Sequence, residues 1–533
     1  MTPSAHVDTF ARDHLPAAAD LPELLFELPE LQFPPRLNAA TELLAKRVAA
    51  GDGDRPCVIG ESVRWTYAEL LARANRIARV LVEDLGLVPG NRVLLRGANS
   101  PALAACWFGV VKAGGIAVGT MPLLRARELR TIVDKAQVTH ALCDSRLQGE
   151  LDVAAPDCPT LLHRLSFHDG ELEVRAAAKP AHFDDVDTAA DDVALIAFTS
   201  GTTGVPKGTM HFHRDLMAAC ACWPPHVLRP TRDDVFIGSP PLAFTFGLGG
   251  LLLFPLAAGA STVLIEKATP DALLPAIARH HATVCVTAPT SYRAMAPQVG
   301  AHDLRSLRKC VSAGEALPAA TRQLWKDATG IEIIDGIGST ELLHIFISAD
   351  EAHARGGATG VPVPGYRAAI LDDEGRQLPP GRVGRLAVKG PTGCKYLADD
   401  RQRQYVQLGW NLTGDAYLVD ADGQYVFQAR TDDMIISGGY NIAGPEVEGA
   451  LLAHPAVAEC GVVGVPDAER GQIVKAFVVL RPGHEGDEAM ARELQDFVKR
   501  TIAPYKYPRA VAFRASLPRT ETGKLQRFRL REG

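Results

Sequence analysis

Short apolar, β-branched runs alternate with longer amphipathic stretches along most of the chain. The runs lie at residues 92–95, 116–118, 193–198, 262–265, 284–287 and 331–334. Strands separated by helical patterns are typical of parallel sheets covered by helices. The pattern therefore predicts an α/β fold, with Gly- and Ser-rich loops after residues 198, 311 and 334. Ligands bind at the carboxyl ends of strands in such sheets, so these loops are the first candidates for a site.

The pattern changes after residue 430. A Gly-rich loop is followed by a helical segment at 445–452, strand-like runs at 458–465 and 474–480, and a helix near 490–501. About a hundred residues of mixed strands and helices are enough for a compact α+β domain. We predict a large domain over residues 1–430, a hinge at 431–433 and a small terminal domain over residues 434–533.

Residues 235–265 carry no charged side chain and are long enough to suggest a membrane span. Pro240, Pro241 and Pro255, together with four glycines, would break a spanning helix into short pieces. We predict a buried helix followed by a strand at 262–265, and no membrane partner.

Composition narrows the class of protein. The chain has 533 residues, 47% of them hydrophobic, so it can bury more than one core. A net charge of −6 without a cluster of Lys and Arg argues against nucleic acid as a partner. The ten cysteines are scattered and lack metal-ligand spacing, and the first residues lack the pattern of a signal peptide. A cytoplasmic location is expected.

The most informative segment is TSGTTGVPKG at residues 199–208, which follows an apolar strand. Its glycines let the backbone approach an anion, while N–H groups, hydroxyls and an ammonium donate hydrogen bonds. This composition predicts a polyphosphate loop whose ligands are Thr199, Ser200, Gly201, Thr202, Thr203 and Lys207. A Walker-type loop needs glycine directly before the lysine, where this chain has Pro206, so folds built on that motif are disfavoured.

Five further motifs follow in order. They are SAGEAL at 312–317, DGIGSTE at 335–341, LTGD at 412–415, RTDDMIISGGYNIAGPEVE at 430–448 and PRTETGKLQR at 518–527. With the phosphate loop they resemble the superfamily of acyl-CoA synthetases, peptide-synthetase adenylation domains and firefly-type luciferases. The resemblance covers the chain from about residue 60 to its end. It implies ATP, Mg²⁺ and coenzyme A as cofactor or co-substrates, a small barrel-like subdomain in the large domain, and a mobile terminal domain.

The motifs also imply a set of nucleotide ligands. Glu341 is a hard oxygen ligand suited to Mg²⁺, and Thr340 beside it is placed to donate to the α-phosphate. The resemblance gives the adenine contacts as Gly314, Glu315, Ala316, Asp335 and Gly336, and the ribose contacts as Asp415 and Arg430. Without the motifs, the last two would be interpreted as a structural ion pair.

Lys524 lies in a polar loop near the end of the sequence, where a solvated charge without function is the ordinary expectation. The resemblance implies instead that it bridges carboxylate and α-phosphate oxygens while an acyl-adenylate forms. The small domain would then rotate about Asp432. This rotation would bring in a loop for the pantetheine arm of coenzyme A, formed by Ser437, Gly438, Gly439 and Tyr440.

The acid is indicated by PPLAFTFGLGG at 240–250 and LLHIF at 342–346, which resemble aryl-CoA ligases for benzoate and 2-aminobenzoate. The predicted aryl-binding residues are Phe244, Phe246, Gly338 and His344. The opening region, ELPELQFPPRLNAATELL, favours 2-aminobenzoate. A ligase that loads a carrier protein and a non-catalytic nucleotide-binding regulator remain alternatives. The protein is expected to be a monomer or a homodimer.

Overall fold

The structure is a computed structural model that describes residues 2–168, 170–199, 206–431, 433–437, 440–467, 470–502, 504–519 and 524–532. Within these residues the strands form four sheets, three before residue 431 and one after it. The α-helices are Phe10–Asp13, Tyr67–Arg79, Pro101–Lys112, Ala126–Ala136, Gln148–Ala154, Glu171–Ala177, His213–Trp223, Thr245–Leu248, Phe254–Ala258, Pro270–His280, Pro289–Met295, Ala319–Thr329, Gln402–Tyr405, Gly444–Leu452, Glu488–Thr501 and Arg527–Arg531.

A six-stranded sheet carries the predicted phosphate loop at its edge. In spatial order its strands are His163–Phe167, His140–Asp144, Arg92–Arg96, Ile116–Thr120, Val193–Thr199 and Lys207–Phe212. The first five are parallel, and the last pairs antiparallel with the fifth. Thr199 lies opposite Lys207 in this hairpin, so the loop between them leaves and re-enters the sheet at one point.

A nine-stranded sheet carries the other predicted nucleotide loops. In spatial order its strands are Val361–Pro362, Ile345–Ser348, Ile333–Gly338, Lys309–Ser312, Val284–Thr287, Val235–Gly238, Ser261–Val263, Pro56–Ile59 and Arg64–Thr66. The six strands from Ile333–Gly338 to Pro56–Ile59 run parallel. Their carboxyl ends therefore share one edge, which places the loops that follow Ser312 and Gly338 side by side.

The α/β class is confirmed, and three details of the sequence prediction needed correction. Residues 235–265 begin with the strand Val235–Gly238, which was predicted as part of a helix. The strand predicted at 262–265 is Ser261–Val263, and the one predicted at 331–334 is Ile333–Gly338. The last strand extends beyond its apolar residues because its end pairs antiparallel with Ile345–Ser348.

Local signals in the sequence explain where the helices begin. Thr66 accepts a hydrogen bond from the backbone N–H of Glu69, and the Glu69 carboxylate accepts one from the N–H of Thr66. This capping box starts the helix Tyr67–Arg79. Ser100 caps Pro101–Lys112 by accepting a hydrogen bond from the backbone N–H of Leu103, with proline at the first helical position. These two helices pack against each other, with Tyr67–Arg79 against the edge strands of the nine-stranded sheet and Pro101–Lys112 against the six-stranded sheet.

A smaller antiparallel sheet corresponds to the predicted barrel-like subdomain. Its strands are Arg367–Leu371, Gly384–Lys389, Trp410–Val419, Val406–Gln407 and Tyr425–Arg430. Asp415 and Arg430 are direct partners across two of these strands.

The terminal part has a hydrophobic core of its own. Its strands are Ile435–Ser437, Tyr440–Ile442, Val457–Asp467, Gly471–Leu480 and Ala510–Phe513, covered by the helices Gly444–Leu452 and Glu488–Thr501. The buried residues of this core, such as Val447, Val478 and Leu494, form a cluster separate from those of the large sheets. Each part thus has an independent core, as a domain requires.

Among the described residues, no helix combines the length and the apolar character needed to cross a bilayer. Each of the ten cysteines is a buried, free thiol.

Candidate active site

The predicted phosphate loop begins and ends at the edge hairpin of the six-stranded sheet. Thr199 ends one strand and Lys207 begins the next. The Oγ1 atom of Thr199 is buried and has no hydrogen-bond partner among the described residues. A buried hydroxyl without a partner is costly, and a phosphate oxygen would satisfy it. The predicted ligands Ser200, Gly201, Thr202 and Thr203 lie outside the described residues.

Lys207, Tyr396 and Glu341 form a triangle at the base of this loop. Lys207 Nζ donates to Tyr396 Oη at 2.9 Å, and Tyr396 Oη donates to Glu341 Oε1 at 2.5 Å. Burial, followed by the negative charge of Glu341, raises the pKa of Tyr396, so its hydroxyl remains a donor. Lys207 Nζ lies 3.8 Å from Glu341 Oε1. The triangle joins a cation and a carboxylate from separate motifs.

Thr340, beside Glu341, is fixed through its backbone. His211 Nε2 lies 2.8 Å from the carbonyl oxygen of Thr340. Since a carbonyl only accepts, Nε2 is the donor. His211 Nδ1 faces Asp215 at 3.8 Å, and Asp215 forms a 2.9 Å ion pair with Lys395. Asp215 and Lys395 are at most 1% exposed in their side chains, so a buried charge pair supports the site from behind.

The chain turns sharply between Glu341 and His344. Leu343 is buried and has a φ of 71°, in the left-handed region that a branched side chain rarely adopts. Strained backbone of this kind often occurs at functional sites. The turn separates Glu341, on the phosphate side, from His344, which lies in an aromatic cluster.

The predicted adenine residues lie on the loop after Ser312 and on the neighbouring strand Ile333–Gly338. Gly314 has a φ of 90°, and Glu315 is mostly buried, which raises the pKa of its carboxyl. Burial raises the pKa of Asp335 to about 6. Asp335 pairs with Ser312 at the last position of the register between their strands, so the loop after Ser312 begins beside Asp335. Gly336 is a packing position, because a Cβ there would lie 2.7 Å from Ile345. Ala316, next to Glu315, is exposed.

The predicted ribose residues form the ion pair that the sequence left open. Arg430 Nη1 donates to Asp415 Oδ1 at 3.1 Å and to the carbonyl oxygen of Thr413 at 3.2 Å. Asp415 is 8% exposed, and burial raises the pKa of its carboxyl. A cross-strand pair explains the position of both side chains, and it leaves the second Asp415 oxygen as an acceptor for a ligand.

Lys524 reaches this cleft from the terminal domain. A Cβ built on Gly314 would lie 3.7 Å from Lys524 Cε. The residue as a whole is exposed, but its ammonium lies within the cleft, and the loss of hydration lowers its pKa. Glu315, Arg430, Asp415 and Glu341 are the charges that act on it. The structure thus brings Lys524 together with the predicted adenine, ribose and metal residues.

Three of the four predicted aryl residues lie together. The ring centroid of His344 is 5.7 Å from that of Phe246 and 4.4 Å from that of Phe254. Gly338 lies against the backbone of His344, where a Cβ would come within 2.7 Å of its carbonyl oxygen. Phe244 instead lines a small apolar cavity with Trp107, and the lining of that cavity includes none of the other three.

The His344 imidazole has a defined tautomer. Burial lowers its pKa to about 3, so the ring is neutral. Its Nε2 lies 3.4 Å from the carbonyl oxygen of Phe246 and is therefore the donor. The Nδ1 atom carries the lone pair, and it is buried with no partner among the described residues. The cluster thus holds one unsatisfied hydrogen-bond acceptor.

The loop predicted for coenzyme A lies in the terminal domain. Ser437 is 4% exposed and pairs with Tyr440 across a tight hairpin. Gly438 and Gly439 lie outside the described residues, and so does the predicted hinge residue Asp432.

Four residues of the site were missed by sequence reasoning. They are Tyr396, His211, Asp215 and Lys395. One of them had a signal: Lys395 is the only charged residue in the stretch 390–397. A charge in an otherwise uncharged stretch indicates a buried pair or a site.

Comparison with known proteins agrees with this geometry. The family model "AMP-binding enzyme" matches residues 45–397, and "AMP-binding enzyme C-terminal domain" matches residues 446–524. A benzoate–CoA ligase of Thauera aromatica is 37% identical, over 94% of this chain and 97% of its own length.

Two solved structures are similar throughout. One is a crystal structure of the anthranilate CoA ligase AuaEII in complex with anthranoyl-AMP, with a TM-score of 0.91, 36% identity and coverage of 95% of this chain and 98% of that one. The other is a benzoate CoA ligase from Burkholderia xenovorans LB400, with a TM-score of 0.86, 33% identity and coverage of 93% and 100%. The chain belongs to the AMP-binding enzyme family, and it is an acid–thiol ligase of the AMP-forming acyl-CoA synthetase type.

Proposed function

We propose that this enzyme is an aryl-CoA ligase. It converts an aromatic carboxylate, ATP and coenzyme A into an aryl-CoA thioester, AMP and diphosphate through an acyl-adenylate. The observation that carries the proposal is the position of Lys524 beside Gly314, in a cleft that also holds Asp415 and Glu341. The aromatic cluster of His344 lies three residues further along the chain from Glu341.

In the first half-reaction a carboxylate oxygen attacks the α-phosphorus of ATP, and the bond to the β-phosphate breaks. Lys207 and the loop at 199–205 hold the leaving diphosphate, and Thr340 donates to the α-phosphate. Lys524 lies between carboxylate and phosphate oxygens and neutralises their repulsion. Alignment and charge neutralisation are the contributions of the protein, and no protein nucleophile is needed.

The surroundings of Glu341 fit a magnesium ion. Its Oε1 accepts the Tyr396 hydrogen bond, while no described residue donates to Oε2. A carboxylate oxygen together with phosphate oxygens suits Mg²⁺, which would neutralise phosphate charge when bound. Glu341 is therefore the proposed metal ligand.

In the second half-reaction the thiol of coenzyme A attacks the acyl carbonyl, and AMP leaves. The large domain at 1–430 keeps the adenylate, while the terminal domain at 434–533 rotates about Asp432 in the hinge 431–433. Ser437, Gly438, Gly439 and Tyr440 would then line the path of the pantetheine arm. The separate cores of the two parts support rotation as rigid units.

The proposed acid is 2-aminobenzoate. The His344 Nδ1 lone pair is an acceptor without a partner, and an ortho-amino group is a donor that would satisfy it. Benzoate presents only C–H groups at that position. One hydrogen bond between neutral groups is worth about 0.5–1.5 kcal/mol, which corresponds to a preference of about 2- to 10-fold.

The test is acid-dependent exchange of labelled diphosphate into ATP with purified protein, followed by thioester formation with coenzyme A. We expect exchange with both acids and a higher kcat/KM for 2-aminobenzoate than for benzoate. In His344→Phe, which keeps the aromatic packing but removes the acceptor, we expect the two acids to become equal.

Absence of exchange with every aromatic acid would contradict the proposal. Adenylate formation without release of a soluble thioester would identify a carrier-loading enzyme instead. A preference for 2-aminobenzoate that persists in His344→Phe would place its recognition elsewhere in the site.

A further inference from the structure

One of the contacts between the large and terminal domains, here called the seam, lies near the start of the strand Val457–Asp467. Arg293, in the large-domain helix Pro289–Met295, donates from Nε to the carbonyl oxygen of Ala458 at 3.0 Å. Its Nη2 donates to the carbonyl oxygen of Val457 at 3.1 Å. One guanidinium thus holds two consecutive carbonyl groups of the other domain.

The next residue of the strand takes part in a second contact. Arg519 Nη2 lies 2.8 Å from Glu459 Oε2, and Arg519 Nη1 lies 3.5 Å from Glu315 Oε1. Glu315 belongs to the proposed adenine loop of the large domain. Residues 457–459 are therefore one place where the terminal domain is held beside the proposed nucleotide site, directly through Arg293 and indirectly through Arg519.

The helix that carries Arg293 is itself firmly placed. The Oη atom of its neighbour Tyr292 is buried and lies 2.9 Å from the carbonyl oxygen of Cys285 and 3.0 Å from that of Val311. Both carbonyls belong to strands of the nine-stranded sheet. Val311 lies one residue before Ser312, which ends its strand and precedes the proposed adenine loop. Arg293 thus has a fixed position relative to the proposed adenine loop.

The side chain of Arg293 is half-buried at its contact with the terminal domain. Among the residues that the structure describes, its guanidinium hydrogen bonds are the two to residues 457 and 458, and burial lowers its pKa. A planar guanidinium matches a pair of carbonyl oxygens as a compact ammonium does not. Rotation of the terminal domain would break both bonds and return the guanidinium to water, so the contact stabilises one orientation only.

We propose that Arg293 is a positioning residue that holds the terminal domain in the orientation that delivers Lys524 to the α-phosphate. The inference rests on the proposed two-step function. It assigns Arg293 an effect on adenylate formation but not on the chemistry of the thioester step, where the contact is already broken. A contact shifts the equilibrium between two domain orientations only when it is more favourable in one of them. The Arg293 contact meets this condition, because it is formed in one orientation and broken in the other.

The experiment compares Arg293→Gln with Arg293→Lys and with Arg305→Gln. Arg305 is a matched control in the same domain, because its side chain is 90% exposed and its ion-pair partner is the nearby Asp303. Each protein is assayed for adenylate formation from acid and ATP, and separately for thioester formation from supplied aryl-adenylate and coenzyme A. Thermal unfolding reports whether each variant is folded.

For Arg293→Gln we expect adenylate formation to fall about tenfold, within the usual range of coupling between two states. Thioester formation should be unchanged or faster. Arg293→Lys should show a smaller loss of adenylate formation, because lysine keeps the positive charge but lacks the planar pair of N–H donors. Arg305→Gln should match the unmodified enzyme in both assays.

An equal loss in both half-reactions, or no loss of adenylate formation, would overturn the assignment. A structural defect alone would produce the first of these results, so the ratio of the two rates is the diagnostic quantity. Failure of the proposed function gives a different result, because the unmodified enzyme would then show no acid-dependent diphosphate exchange.

Discussion

At the scale of single residues, the cleft changes the acid–base properties of Lys524. Its ammonium loses hydration there, and Arg430 adds repulsion, while Glu315, Asp415 and Glu341 favour the charged form. The balance lowers the pKa, so this lysine loses its proton at a lower pH than an exposed lysine does. The proposed role of Lys524 needs the charged form, since only that form neutralises the reacting oxygens.

This gives a prediction about pH. In the free enzyme, kcat/KM for ATP in adenylate formation should fall on the alkaline side, below the pH at which an ordinary lysine titrates. In Lys524→Arg the alkaline fall should disappear, because a guanidinium keeps its proton. Lys524→Ala should lose adenylate formation by about 100-fold or more but still convert supplied acyl-adenylate to thioester. Diphosphate exchange measured from neutral to alkaline pH tests all three.

Lys499→Ala serves as the control, because Lys499 is a partly exposed terminal-domain lysine that pairs with Asp496 and has no proposed role in either half-reaction. It should follow the profile of the unmodified enzyme. Equal loss of both half-reactions in Lys524→Ala would contradict the role given to this lysine, as would an alkaline fall that remains in Lys524→Arg.

At the scale of elements, three segments hold the phosphate loop. The hairpin of Val193–Thr199 and Lys207–Phe212 is covered by residues 395–397, through hydrogen bonds of Met210 to Lys395 and of Leu397 to Gly208. This arrangement directs Tyr396 toward Lys207 and Glu341, and it buries Lys395 against Asp215 on the helix that follows the hairpin. The ion pair thus fixes the relative position of two elements that both contribute to the site.

The buried pair gives a prediction about stability. Lys395→Met should lower the free energy of unfolding by about 3–5 kcal/mol, because it leaves the Asp215 carboxylate buried without its cation. Adding Asp215→Asn should recover part of this loss, since no uncompensated charge remains and the amide oxygen still accepts from the N–H of Phe212. Urea unfolding without substrates measures both proteins. A single variant as stable as the unmodified protein, or a double variant no better than the single one, would contradict this role.

Sequence patterns predicted the elements well where a strand ends at a loop of special composition. The strand before TSGTTG and the helix after the SGGY loop were both found, because apolar runs next to Gly-rich loops leave few alternatives. The strand Val235–Gly238 was missed because it merges into a longer uncharged stretch. Phe244 was grouped with Phe246 and His344, but Phe244 precedes the helix Thr245–Leu248 while Phe246 lies within it, and the two side chains face different surroundings.

The residues that hold the site in place could not be predicted from local sequence patterns. Tyr396 is brought to Glu341, and Lys395 to Asp215, by the pairing of distant segments. Motifs locate residues that contact ligands, because those residue types follow from the chemistry of the ligand. The identity of residues that hold other residues in place depends on the tertiary fold. A single sequence indicates them only weakly, for example where Lys395 is the only charged residue in the stretch 390–397.

At the scale of the whole molecule, the two domains share one cleft but have separate cores. The terminal domain contacts the large domain near the proposed nucleotide site through Lys524 and Arg519. Its residues 457 and 458 contact Arg293 of the large domain at the seam. Ser437 and Tyr440 belong to a different hairpin of that domain. A single orientation does not serve both half-reactions under the proposed mechanism, so the hinge determines which group of residues is used.

The last prediction concerns that hinge. Proline fixes φ and removes an N–H, so Asp432→Pro should restrict the rotation that the proposed second half-reaction needs. We expect adenylate formation to be retained and thioester formation from supplied acyl-adenylate to fall, with Asp432→Ala close to the unmodified enzyme. This is the opposite of the result expected for Arg293→Gln, since one change holds the adenylate-forming orientation and the other weakens it. Rapid-quench measurement of each half-reaction separates the two effects, and normal thioester turnover in Asp432→Pro would rule out Asp432 as the hinge.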